Sequence, residues 1–121
     1  MKYLLLIYEE EARFGRLSDS ERAAFMAEYR AVVGDLKAAG KYETGSQLQP
    51  TGSATSVRLR NGKRAVTDGP FAETREQLGG YFLIDAANLD EAIAIAERVP
   101  SARFGTIEVR PLVEMAVPAS M

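Results

Sequence analysis

The chain opens on an apolar run, Tyr3-Leu4-Leu5-Leu6-Ile7-Tyr8, that stops abruptly at Glu9, Glu10 and Glu11. A short apolar run closed by charge is the pattern of a strand buried on both faces, so Lys2 to Tyr8 is predicted as the first strand. The pattern then changes period. Phe25, Tyr29, Val32, Val33 and Leu36 recur at helical spacing, Ser18 and Glu21 form a capping box ahead of them, and Gly40 is placed to end the helix. Tyr42 to Leu48 is predicted as a second strand, weakened by Gly45 and closed by Pro50 and Gly52. Ser56 to Arg60 and Lys63 to Thr67 flank Asn61-Gly62, the pair suited to the positive φ angles of a tight hairpin turn. Val57 and Leu59 alternate there with polar neighbours, which predicts one buried and one wet face.

Asp68-Gly69-Pro70 then reads as a turn, Ala72 to Leu78 as a short helical piece ended by Gly79-Gly80, and Tyr81 to Ile84 as another strand buried on both faces. Asn88 and Glu91 cap a further helix containing Leu89, Ala92, Ile93, Ala96 and Val99, stopped by Pro100. A last strand runs near Thr106 to Arg110, and the tail from about residue 112 to 121 reads as loose. One domain over residues 1–121 is expected, of the α+β class, with an antiparallel sheet and its two main helices on one face. Two helices cover one side of a sheet only. The apolar character of the first strand and of Tyr81 to Ile84 on both sides therefore predicts a second copy covering the open face, a homodimer joined sheet to sheet.

Composition narrows the chemistry. At 121 residues there is room for one core. A net charge of −2, with basic residues scattered along the chain, offers no basic stripe and argues against nucleic acid as the main partner. The first apolar run is too short to span a membrane and lacks a cleavage site after it, so the expected location is the cytoplasm. Cysteine is absent, which removes disulfides and thiolate chemistry; histidine is absent too, which removes the usual base near neutral pH and the commonest metal ligand. No metal or cofactor motif is present. Gly79-Gly80 lacks the order and spacing of a nucleotide loop.

Asp68 leads the candidates for chemistry, as a carboxylate at a strand end before a rigid Gly-Pro turn. It serves equally as the acceptor that holds that turn. Tyr8 and Tyr81, at strand ends, are candidate pocket phenols or core residues with a wet hydroxyl. Arg58 and Arg110 are candidate anion forks or ordinary solvated strand residues, and Phe71 is a pocket wall or a loop anchor. Glu73 and Glu76 suit the start of a short helix, and the run Glu9 to Glu11 reads as a solvated loop.

The long run from Val66 to Phe82, VTDGPFAETREQLGGYF, closely resembles the DGPF branch of the YCII-related family, and the opening MKYLLLIY, Leu48-Gln49-Pro50 and Glu108-Val109-Arg110-Pro111 fit the same pattern. That resemblance implies a ferredoxin-like protomer pairing into a dimeric α+β barrel. It implies little chemistry: some relatives are linked to lactone dehalogenation through a His–Asp pair, which a chain without histidine cannot form. It also implies a connection to a sigma factor as partner. Three functions follow as alternatives: a dimeric module binding a small anionic or carbonyl-bearing molecule, a lyase or isomerase with Asp68 as acid/base, and a protein that acts through its surface.

Overall fold

The structure, a computed structural model, describes residues 1–114. Most of the expected loose tail falls on residues 115–121, outside the described residues. Six strands form, β1 (Lys2–Glu9), β2 (Tyr42–Gln47), β3 (Thr55–Arg60), β4 (Lys63–Asp68), β5 (Gln77–Asp85) and β6 (Thr106–Pro111). Three α-helices accompany them, α1 (Glu11–Gly15), α2 (Asp19–Ala38) and α3 (Leu89–Arg98). Strands β2, β5, β1 and β6 make a four-stranded sheet in that order, antiparallel throughout, while among the described residues β3 and β4 pair only with each other. The larger sheet has the strand order of a ferredoxin-like fold, two interleaved βαβ units. Among the described residues no helix is long and apolar enough to cross a membrane.

The long helix starts where its capping box places it. Glu21 N–H donates to Ser18 Oγ at 3.2 Å and Ser18 N–H to Glu21 Oε1 at 2.9 Å, a pair of bonds that holds the Glu21 carboxyl below the usual carboxylate range. Phe25 and Leu36 are its buried residues. In α3 the buried row is Ala92, Ile95 and Ala96, with Val99 just beyond, while Leu89 and Ile93 are exposed. Both helices pack on Tyr3, Leu5 and Ile7 of β1 and Phe82 and Ile84 of β5. Tyr29 of α2 shares a hydrogen bond with the fully buried Ser101, in the turn after α3, which ties the two helical layers together. Burial raises the Tyr29 phenol above its ordinary pKa, the Ser101 bond partly opposing it.

Three expectations are corrected, and one short helix is added. Burial on both faces does not hold within one chain: on β1 Tyr3, Leu5 and Ile7 are buried and Leu4, Leu6 and Tyr8 are only half-buried, because both main helices lie on the same side. The β3–β4 hairpin does turn at Asn61 and Gly62 with φ of 51° and 73°, yet it buries neither face. Ala72 to Leu78 forms no helix. Gln77 Nε2 donates to the Thr74 carbonyl at 2.6 Å, and Gln77 and Leu78 pair with Glu9 and Tyr8 of β1, so the ladder takes residues that two glycines leave poor at helix formation. Helix α1, at five residues too short to show a period, is held by Arg13, whose guanidinium lies 3.4 Å from the Phe104 ring centroid, and by Phe14 against Phe25.

Ser18→Ala removes one half of the capping box and is expected to lower stability by about 1 kcal/mol, measured by urea unfolding at neutral pH. Because the fold favours the neutral Tyr29 phenol, the folded chain keeps a proton that the unfolded chain releases near pH ~10. That contribution is complete below the unfolded pKa and is lost as pH rises through the higher folded value. Tyr29→Phe is accordingly expected to flatten the alkaline fall in unfolding free energy; an unchanged slope would contradict the burial of the phenol.

Candidate functional site

A pocket of about 460 Å³ opens between α1, α2 and the helix-covered face of the sheet. Its position follows from the glycines of the two neighbouring strands. A methyl group at Gly45 would lie 2.6 Å from Tyr42 Oη and 2.8 Å from Phe82 Cδ1; one at Gly80 would lie 2.8 Å from the Ser46 carbonyl oxygen. Residues without side chains therefore let β2 and β5 approach there, and both line the pocket. Aromatic rings form the walls. Phe25 meets Tyr29 edge-on at 5.3 Å between centroids, Tyr29 meets Phe82 at 6.1 Å, and Tyr42 meets Phe82 at 5.4 Å.

The three glutamates that follow β1 have three different environments, not one solvated loop. Glu10 forms an exposed ion pair with Arg75 at 3.3 Å. Glu11 has both oxygens occupied: Thr51 N–H donates to Oε1 at 2.6 Å and Thr51 Oγ1 to Oε2 at 2.9 Å, which fastens the loop after β2 against α1. The backbone N–H of Glu11 donates in turn to Gln77 Oε1 at 3.0 Å. Glu9 lines the pocket and its Oε2 is buried with no hydrogen-bond partner among the described residues. It lies near enough to Tyr29 for its charge to oppose ionisation of that phenol. Gln47 and Gln49 add amide groups to the lining, and among the described residues no Lys or Arg lines the pocket.

None of Tyr8, Arg58, Asp68, Phe71, Tyr81 or Arg110 lines this pocket. Tyr8 and Tyr81 are half-buried on the opposite face of the sheet, where Tyr81 pairs with Leu6, and Arg110 lies on the same face, paired with Leu4 and held by Glu108. Arg58 is exposed on β3. Asp68 is exposed at the end of β4, directly before Gly69, whose N–H donates to the Ala54 carbonyl at 2.7 Å and whose carbonyl accepts from Ser56 Oγ at 2.8 Å. Phe71 is 79% exposed. The structure thus gathers Tyr8, Tyr81 and Arg110 on the open sheet face and leaves Arg58, Asp68 and Phe71 on the hairpin and its exit. Glu9 was open to discovery from sequence, since it shares the parity of Tyr3, Leu5 and Ile7 and so must point to the helix side.

Three comparisons bear on this geometry. The model of the YCII-related domain matches residues 1–116. An uncharacterised protein of Rhizobium meliloti is 41% identical over 114 residues, covering 93% of this chain and 92% of its own. Among solved structures, 5-chloro-2-hydroxyhydroquinone dehydrochlorinase from Burkholderia phenoliruptrix, in complex with 2,5-dihydroxybenzoquinone, matches with a TM-score of 0.58 over 95% of this chain and 96% of its own, at 15% identity; that likeness is one of fold. On the family match, which spans nearly the whole chain, the protein belongs to the YCII-related domain family.

Proposed function

We propose that the protein binds a small, uncharged, flat molecule bearing an O–H donor, seated between α1, α2 and the sheet with its hydroxyl on Glu9. The observation that carries this reading is Glu9 Oε2, a buried acceptor without a donor. Leaving such a group unmatched costs about 1–3 kcal/mol, and a ligand hydroxyl would recover it. The volume of about 460 Å³ suits a small molecule, and the edge-on aromatic walls suit a ring. Two carboxyl groups and no basic side chain in the lining disfavour the anionic ligand expected from sequence. The dehydrochlorinase of similar fold was solved with a small flat oxygen-substituted ring, 2,5-dihydroxybenzoquinone.

A lyase or isomerase reading moves to the same site. With no histidine in the chain and both Glu11 oxygens held by Thr51, Glu9 is the lining carboxylate placed to accept a proton, from a ring hydroxyl or from a carbon beside a carbonyl. Asp68 is exposed at the end of β4 and lies outside the pocket. The open sheet face, with Leu4, Leu6 and Tyr8 of β1 and Tyr81 and Leu83 of β5 all half-buried, supports association with a second copy through that face.

Calorimetric titration separates these roles. Hydroquinone or catechol is expected to bind and benzoate to bind at least about tenfold more weakly; Glu9→Gln is expected to weaken the hydroxylated ring by about tenfold or more, and Asp68→Asn to leave it unchanged. Benzoate binding better, or full affinity in Glu9→Gln, would sink the proposal. Gly45→Ala, whose new methyl meets Tyr42 and Phe82, is expected to abolish binding and to cost about 1–3 kcal/mol in stability by urea unfolding.

A further inference from the structure

We propose that the β3–β4 hairpin is an arm that reaches onto a second copy of this chain, laying Val57, Leu59 and Val66 on that copy's open sheet face. The inference rests on the reading that two copies associate, and adds which part of the chain covers which surface. The hairpin is fully paired over six residues of each strand and closed by a well-formed turn, yet among the described residues it joins no other strand and buries neither face. An isolated two-stranded hairpin is marginal in water; one that keeps its register needs an apolar surface to lie against. Its own apolar face is contiguous. Val57 stands opposite Val66 with Leu59 beside them, and they are 65%, 53% and 66% exposed.

The same chain carries the complementary surface, the half-buried row of Leu4, Leu6, Tyr81 and Leu83. Under two-fold symmetry each copy gives an arm and receives one, so both uncovered surfaces are satisfied at once. Charge favours the same partner. Arg58, Arg60, Lys63 and Arg64 make up four of the 15 basic residues of the chain, and what is left of it carries 11 basic against 17 acidic residues. None of these four forms an ion pair among the described residues. A basic arm is therefore drawn toward the acidic body of another copy, which sets association rate and salt dependence, while the apolar face supplies affinity.

Sedimentation velocity over a concentration series tests this with the combined variant Val57→Thr, Leu59→Thr and Val66→Thr, which places β-branched, strand-favouring threonine at all three positions. The dimer dissociation constant is expected to rise about a hundredfold with the far-UV spectrum unchanged. Arg60→Glu with Lys63→Glu is expected to slow association about tenfold at low salt, the difference closing in 1 M salt. A wild-type chain that stays monomeric overturns the arm and the sheet-face pairing together; a wild-type dimer whose constant is the same in the triple variant overturns the arm alone. Because the chain has no cysteine, Leu59→Cys mixed with Leu6→Cys and a short bis-maleimide gives a second measurement that does not depend on the triple variant folding. A covalent mixed pair is expected, and its absence in an intact dimer also overturns the arm.

Discussion

The alternation of side chains along β1 is the constraint on which the rest depends. This strand lies inside the sheet, paired with β5 on one side and β6 on the other, so its period of two assigns a face to every residue opposite it. Tyr3, Leu5 and Ile7 go to the helices and build the core; Leu4, Leu6 and Tyr8 go to the uncovered side. Glu9 continues the first series. An acidic residue is thereby carried under the helices, at the point where α1 begins and where the aromatic core ends.

Pocket and core are consequently the same packing seen at two ends of the sheet. Toward Lys2 the helix side is filled by residues such as Leu5, Ile84 and Leu36, which are fully buried or nearly so. Toward Glu9 the neighbouring strands carry Gly45 and Gly80, and the rings of Phe25, Tyr29 and Phe82 border a space that no side chain fills. Glu11 and Gln77 maintain that space without entering its chemistry: one fastens Thr51 of the loop after β2, the other anchors the start of α1 and bends the segment before β5. The burial of Tyr29 and its bond to Ser101 fix the wall contributed by α2.

Most of the fold was legible in the sequence because its signals are local. The capping box of α2, the Asn88 cap of α3 and the turn at Asn61-Gly62 each act within a few residues, and all of them appear where expected. What failed depended on partners distant in sequence. Leu78 to Gly80 carry no strand pattern of their own, and β1 recruits them. The hairpin alternates as a half-buried strand should, yet among the described residues of one chain Val57 and Leu59 stay exposed. The proposed site is less legible for a related reason: Asp68 stands out in a local motif, whereas Glu9 is singled out by its parity on a strand whose covered face is known once α2 is placed.

Chemical-shift mapping with a hydroxylated ring such as hydroquinone tests the account most directly, because it distinguishes the space beneath the helices from the open face. Backbone amides of Glu9, Gly45, Gly80 and Phe82 are expected to shift together with a common dissociation constant, while those of Arg58, Asp68 and Arg110 stay in place. Shifts confined to Asp68, Phe71 and Arg110, with Glu9 and the two glycines unmoved, would contradict it.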